Sequence, residues 1–268
     1  MDLLYIGNYM FKKVDKTFLG LPSSSNEFFY KYLSAFCHVR ILGEPLKSDL
    51  TADNLVEIDS EHFSVRIIPP NRSPQDIIKN DRDVKKALYE EISKADAIIL
   101  KPLSRKGIMA IKIAERLKKP YMIEMTGDIH NALKQNPSML KRMYAPILYS
   151  KIKRAIKNAP YGLYVSKDYL QSQFPINGKM CGCSDVVLLK SDASVLENRF
   201  RRIETRSERE YVELALIGFY QGLMKGVDTA IRALSRLPKN YRLHILGNGT
   251  EENRKKWLEY GEKLGVTD

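Results

Sequence analysis

The residues best suited to holding a phosphate are a lysine at a helix start and two glycine-bearing strand ends. Ile217-Gly218 closes an apolar run, a loop follows, and Lys225-Gly226-Val227-Asp228 opens a helical pattern. Glycine at a strand end lets the backbone approach a ligand closely, and a helix N-terminus presents free N–H groups to an anion. One charge-assisted hydrogen bond from Lys225 would contribute about 1.5–3 kcal/mol. The plainer alternative is an exposed first-turn lysine, with Asp228 complementing the positive helix end. A second turn, Leu246-Gly247-Asn248-Gly249-Thr250, follows the next strand, and Thr250 suits the N-cap of the helix after it. Both loops leave strand C-termini, so they should share one rim of a sheet.

Further candidates lie upstream. Gly127-Asp128-Ile129-His130 follows a strand end; either it contacts a ligand, or Asp128 caps a helix and His130 sits on the surface. Gly20-Leu21-Pro22-Ser23-Ser24-Ser25 is a small-residue loop with two readings, ligand contact or a helix lead-in capped by Ser25. Lys101 and Ser104, after the apolar run Ala97–Leu100, are weaker candidates. No G-x-G-x-x-G follows the first strand and there is no P-loop, which disfavours dinucleotide and P-loop chemistry. Three cysteines cannot build a disulfide framework. Cys181 and Cys183 stand too close for ordinary bridging and lack the partner pair a zinc site needs, so no metal is assigned. A reducing, cytoplasmic compartment is expected.

These residues need elements to position them. Leu3–Ile6, Val39–Leu42, Phe63–Ile68, Ala97–Leu100, Tyr121–Met125 and Tyr161–Val165 read as short strands. Asn26–Phe36, Val84–Lys94 and Gly107–Lys118 read as helices between them. Apolar strands alternating with helices predict a parallel sheet covered on both faces, with ligands at the strand ends. Glu197–Glu210 is nearly devoid of apolar residues and reads as a solvated linker. Beyond it come strand Tyr211–Ile217, helix Val227–Leu237, strand Tyr241–Leu246 and helix Glu251–Leu264. The expected organisation is an N-terminal domain over 1–196, a linker over 197–210 and a partial second domain over 211–268. A length of 268 residues agrees with about two domains.

The stretches ALIGFYQGLMKGVDTAIRAL and YRLHILGNGTEENRKKWLEYGEKLGVTD resemble GT-B glycosyltransferases of the large retaining family 4. That pattern runs strand, Gly, loop, Lys-Gly-Val-Asp, helix ending Ala-Leu, strand ending Gly-x-Gly, helix ending Leu-Gly-Val. Upstream, AIILKPLSRKGIMAIKIAERLKKPYMIEMTGDIHNAL and YGLYVSKDYLQSQFP are similar to segments of members acting in surface-polysaccharide synthesis. The resemblance implies a GT-B-like α/β fold, with a Rossmann-like parallel-sheet N-terminal domain and an incomplete second Rossmann-like domain. It implies sugar transfer from a nucleotide sugar to a polysaccharide or lipid-linked acceptor, in the cleft between two domains. Retention of configuration, no metal and no cofactor beyond the donor substrate are expected. Lys225, with Asp128 and His130, becomes the catalytic expectation. Gly218, Lys225, Gly226, Gly247 and Gly249 become donor-binding, and Gly20, Ser23 and Ser24 acceptor-binding. Two departures stand out. Phe219 occupies a position where the family often has arginine, and the family's paired glutamates, E-x7-E, would lie beyond residue 268. The expectation is therefore a fragment, with a non-catalytic remnant or a membrane- or partner-binding domain as the alternative.

Lys+Arg number 44 against 32 Asp+Glu, a net charge of +12, which suits an anionic partner. No recognisable nucleic-acid module accompanies the charge, so no nucleic-acid partner is expected. No apolar run approaches the ~20 residues needed to span a bilayer, and the N-terminus lacks the pattern of a secretory signal. Between Lys134 and Pro160 lie seven basic residues and no acidic one, interleaved with apolar residues at roughly helical spacing. Two readings stand: an amphipathic surface on the anionic inner leaflet of the plasma membrane, or an apolar face packed on the sheet beneath solvated charges.

Overall fold

The computed structural model describes residues 1–46, 55–134, 136, 138–186, 191–208 and 210–266, with backbone alone for Ser23, Lys141, Ser207, Glu208 and Met224. Two compact units divide them: residues 1–134 with 138–186, and residue 136 with 191–266.

Nine strands build the sheet of the first unit among the described residues: β1 (Asp2–Val14), β2 (Thr17–Gly20), β3 (His38–Pro45), β4 (Val56–Glu57), β5 (Phe63–Ile67), β6 (Ala97–Leu100), β7 (Tyr121–Met125), β8 (Tyr161–Tyr164) and β9 (Lys179–Gly182). Seven run parallel in the order β5-β3-β1-β6-β7-β8-β9. Connections therefore reverse direction between β1 and β6, and in such sheets the crevice beyond the strand C-termini at that point is the ligand position.

Strand alternation sorts the side chains. Leu4, Ile6, Ile98, Leu100, Ile123 and Met125 face one layer, made by α2 (Pro74–Lys94), α3 (Arg105–Arg116) and α5 (Met139–Ile156). Leu3, Tyr5 and Ile99 face the other, where α1 (Asn26–Tyr30) and a 3-10 turn (Lys31–Ser34) supply Phe28, Phe29 and Tyr32. The rings of Tyr5, Phe28 and Phe29 meet edge to face with centroids 5.1–5.9 Å apart, the arrangement favoured by aromatic quadrupoles.

Several elements differ from the sequence reading. The first strand continues past Ile6 to Val14 and turns back antiparallel into β2, so the 20–25 loop leaves a hairpin. The strand expected over Val39–Leu42 runs on through Gly43 to Pro45. Helix α2 begins at Pro74, ten residues before the expected start, because Ser73 and Asp76 form a reciprocal cap. Beyond α6 (Tyr169–Gln173), the expected linker over 197–210 is largely folded: α7 (Ala193–Glu204) and a 3-10 turn (Thr205–Glu208) occupy it, with Asp192 capping. Its side chains are exposed throughout α7. Glu and Arg are good helix formers, so solvation and helicity coexist.

The second unit holds β10 (Val212–Ile217) and β11 (Tyr241–Leu246), paired in parallel from Val212↔Tyr241 to Ile217↔Leu246. Helices α8 (Val227–Leu234) and α9 (Glu251–Lys263) cover one face, burying Val227, Ile231 and Trp257. The other face leaves Ile217 and Leu246 exposed.

Candidate functional site

The rim of the second unit is built by close backbone approach. Gly218 N–H donates to the Leu246 carbonyl at 2.9 Å, and Tyr220 N–H to the Asn248 carbonyl at 3.2 Å, which ties the two glycine loops together. A Cβ on Gly247 would stand 2.0 Å from the Gly218 carbonyl oxygen, so only glycine permits this contact. The aliphatic stem of Lys225 lies against Gly218: a Cβ there would meet Lys225 Cγ at 2.9 Å. Lys225 closes a 3-10 turn (Leu223–Lys225), and Gly226, left-handed at φ 70°, admits the chain to α8. The Lys225 ammonium is exposed and makes no hydrogen bond or ion pair among the described residues. Asp228 pairs with Arg232 at 3.0 Å one turn along α8. Thr250 caps α9 as its position suggested, accepting from Asn253 N–H at 3.2 Å.

Gly218, Lys225, Gly226, Gly247 and Gly249 thus gather at one strand-end rim. Gly249 fits under the Tyr220 ring, and the Tyr220 carbonyl accepts from the Trp257 indole at 2.7 Å. A cavity of about 540 Å³ beside them is lined by Tyr220, Leu243, Gly247, Arg254 and Trp257. Glu262 lines it as well, whereas neither Gly218 nor Lys225 does, so this cavity is separate from the position of the Lys225 ammonium. Phe219, at the arginine position of the resembled pattern, is exposed.

In the first unit the upstream candidates are engaged locally. Asp128 Oδ1 accepts from the backbone N–H groups of His130 at 2.9 Å and Asn131 at 3.2 Å. Its Oδ2 accepts from Asn131 Nδ2 and Tyr169 Oη, both at 2.7 Å. Asp128 therefore caps α4 (Ile129–Lys134). The His130 ring stacks on Tyr149 with centroids 4.8 Å apart. Gly20 is buried at the end of β2, where a Cβ would meet the Phe11 ring at 3.0 Å. Ser24 is buried, and its hydroxyl has no hydrogen-bond partner among the described residues. The side chain of Ser23 lies outside the described residues. Ser25 occupies the N-cap position of α1 without a side-chain cap bond. Ser104 is the cap of α3, accepting from Gly107 N–H at 3.1 Å.

The switch point between β1 and β6 holds a constellation largely missed in the sequence. Glu124, on β7 and 1% exposed, accepts hydrogen bonds from Tyr5 and, at 3.3 Å, from Tyr32. The Lys31 ammonium lies 3.8 Å from the same carboxylate. Lys101, just beyond β6, donates to Tyr9 Oη at 3.1 Å, and its ammonium sits 5.1 Å from the Phe28 ring centre. Burial pushes the Lys101 amine below the ordinary lysine range, opposed by the charge of Glu124. Burial pushes the phenols of Tyr5, Tyr9 and Tyr32 up, with Glu124 adding to the shift. The phenols stay protonated, as donors to a buried carboxylate must. The available signal was a glutamate inside YMIEM, on an inward-facing position of a buried strand.

Asp59, Glu61 and His62 bring ligand atoms within 4.8 Å of one another. Asp59 is already engaged by the His62 ring at 2.8 Å, Glu61 N–H and Tyr30 Oη, and no metal role is assigned.

Comparison with known proteins gives the fold its class. Sucrose-phosphate synthase from Thermosynechococcus elongatus superposes with a TM-score of 0.56 at 12% identity, over 99% of this chain and 68% of that one. A glycosyltransferase from Rickettsia africae ESF-5 superposes with a TM-score of 0.52 at 14% identity, over 99% and 65%. The fold is α/β with a predominantly parallel sheet, of the GT-B glycosyltransferase type. In sequence, Protein CapJ of Staphylococcus aureus is 26% identical over 271 residues, 99% of this chain. The chain spans 65% of CapJ's length. No family model matches.

Proposed function

We propose that this chain belongs to a retaining, metal-independent GT-B glycosyltransferase of the family 4 type. On this reading it transfers a sugar from a nucleotide donor to a polysaccharide or lipid-linked acceptor. The observation carrying the proposal is Lys225, braced by its stem against Gly218, with an ammonium unpaired among the described residues beside the start of α8. As the glycosidic bond breaks, negative charge grows on the departing diphosphate. A fixed cation and free helix N–H groups meet that charge without reorganising, so they act more strongly in the transition state than in the ground state. The contact of Gly247 with Gly218 keeps the rim open to a ligand's phosphates by excluding side chains there. Gly249 and Tyr220 shape the adjoining nucleotide side. No cofactor beyond the donor substrate is part of this reading. For a lipid-linked acceptor, the working surface is the anionic inner leaflet of the plasma membrane.

Titration of the chain with UDP, GDP, dTDP and their glucose derivatives tests the donor site. Calorimetry and emission of the single tryptophan, Trp257, whose indole holds the Tyr220 carbonyl, are the readouts. Lys225→Ala should weaken the bound nucleotide by about 10- to 150-fold, the equivalent of one charge-assisted hydrogen bond. Equal affinity of wild type and Lys225→Ala removes the diphosphate role. Absence of binding by every nucleotide at millimolar concentration favours the non-catalytic alternative, with which the exposed Phe219 in place of arginine agrees.

A further inference from the structure

The apolar residues of α5 divide between two opposite faces. Ala145, Ile152 and Ile156 are fully buried, and Leu148 and Tyr149 pack against the same core. At about 100° per residue, Met139, Leu140, Met143, Tyr144 and Ile147 point the other way. They are 67%, 79%, 63%, 44% and 52% exposed. Single exposed apolar residues are ordinary, but five adjoining ones over two turns need a partner. One apolar face therefore packs on the core, as the second reading of this stretch expected, and another is left outside.

We infer that this outer face of α5 rests on an anionic lipid surface. Charge selects the occupant. From Lys134 to Pro160 the chain carries seven Lys and Arg and no Asp or Glu. Lys151 and Arg154 continue the outward stripe about one and two turns past Ile147 and are exposed, with the Lys151 ammonium 5.9 Å from the Tyr144 ring. Arg142, Lys151, Lys153, Arg154 and Lys157 form no ion pair among the described residues, so their charge is available to a partner. A second copy of this chain would bring the same excess of positive charge to the contact and be repelled. An anionic leaflet supplies both things the helix lacks, an apolar layer and negative charge, in one plane. An interfacial helix sinks its apolar face ~5–10 Å into the headgroup boundary, and Tyr144 suits that level, with its ring in the apolar layer and its hydroxyl in the polar one. No helix among the described residues is long and apolar enough to cross a membrane, so the contact is lateral. The inference deepens the leaflet part of the proposed function and does not depend on donor binding.

The test is flotation of the whole chain with vesicles of phosphatidylcholine alone, or mixed with phosphatidylglycerol, without sugar nucleotide. Binding should require phosphatidylglycerol and weaken with added salt. Lys151→Gln with Arg154→Gln should lower the partition coefficient by about 25-fold, at about fivefold per charge. Leu140→Gln with Met143→Gln should lower it by at least about tenfold. All four side chains are exposed, so circular dichroism and Trp257 emission should match wild type. Equal binding to neutral vesicles, no binding to either kind, or indifference to both double variants overturns the inference. So does a wild-type dimer that Leu140→Gln with Met143→Gln makes monomeric, since the face would then be a self-association surface. None of these outcomes alters the nucleotide titration, and failure of that titration leaves vesicle binding unaffected.

Discussion

Gly247→Ala should destabilise the second unit selectively. The added methyl would stand 2.0 Å from the Gly218 carbonyl oxygen and 2.6 Å from its carbon. Both are backbone atoms, so no rotamer change relieves the clash, and the loops must separate by roughly an ångström. Overpacking of this kind costs about 1–3 kcal/mol. Separation also strains the bond from Gly218 N–H to the Leu246 carbonyl or that from Tyr220 N–H to Asn248, each contributing about 1 kcal/mol. An expected total of about 2–3 kcal/mol translates to a fall of roughly 10–20 °C in the midpoint of a unit this small. Trp257 is the only tryptophan and is buried in the second unit, so its fluorescence follows that unit's unfolding alone. Gly222→Ala is the control, since a Cβ there meets nothing within 4 Å; it should change stability by less than about 0.5 kcal/mol. A Gly247→Ala midpoint equal to wild type, or an equal loss in Gly222→Ala, would refute the close-approach account of the rim.

Two further predictions concern the first unit. Lys106 and Glu44 form a buried ion pair at 2.8 Å, and Arg72 completes the carboxylate at 2.6 Å. Burial pulls the Lys106 amine down while Glu44 holds it up, so Glu44→Gln should cost about 3–5 kcal/mol in urea unfolding. The Glu44→Leu, Lys106→Met double variant should recover most of that loss; a double variant as unstable as Glu44→Gln counts against a strand-and-helix pair acting as a unit. Arg105 donates two hydrogen bonds to Asp81, at 2.8 and 2.9 Å, and holds its carboxyl below the ordinary value of 3.8. A carboxyl depressed in the folded state stabilises fully above its unfolded pKa, and that contribution is lost as pH falls through the folded value. The pair is partly exposed, so Arg105→Met should cost about 1 kcal/mol or less at neutral pH. The difference from wild type should shrink on acidification below about pH 4; a difference independent of pH would show that packing by the arginine stem dominates.

How far the fold was legible depended on whether local pattern and burial agreed. Tyr121–Met125 and Tyr241–Leu246 were bounded correctly: the first is apolar but for Glu124 and opens onto Thr126-Gly127, and the second alternates apolar residues with Arg242 and His244 and is closed by Gly247. The shared rim of the second unit was also readable, since both glycine loops follow the C-terminal ends of neighbouring parallel strands. Helix α7 was not, because its apolar residues Leu196, Phe200 and Ile203, at helical spacing, remain exposed and are outnumbered by Glu and Arg. The tail of β1 was hidden by Lys12 and Lys13, although Tyr9 and Phe11 already alternated as a strand. The outer stripe of α5 was legible as amphipathic, but a single helix with two apolar faces looks the same in sequence as one wide face. Only packing shows that Ile152 and Ile156 fill the inner one and leave Met139 to Ile147 outside.

The switch-point cluster was the least legible feature because it is assembled from four separate segments. Tyr5 and Tyr9 come from β1, Lys31 and Tyr32 from the turn after α1, Lys101 from beyond β6 and Glu124 from β7. No spacing in the chain relates them; the strand order does, by placing β1 and β6 side by side with β7 next. A carboxylate at 1% exposure must be compensated, and Glu124 is, by two phenols and Lys31. Lys101 is less completely met: its ammonium donates to Tyr9 alone among the described residues, beside the face of Phe28. A partly desolvated amine with unused donors, at the strand ends where parallel sheets take their ligands, makes Lys101 a better placed candidate for ligand contact than Gly20 or Ser24. Both of those are buried, Gly20 against the Phe11 ring and Ser24 beside Gly20.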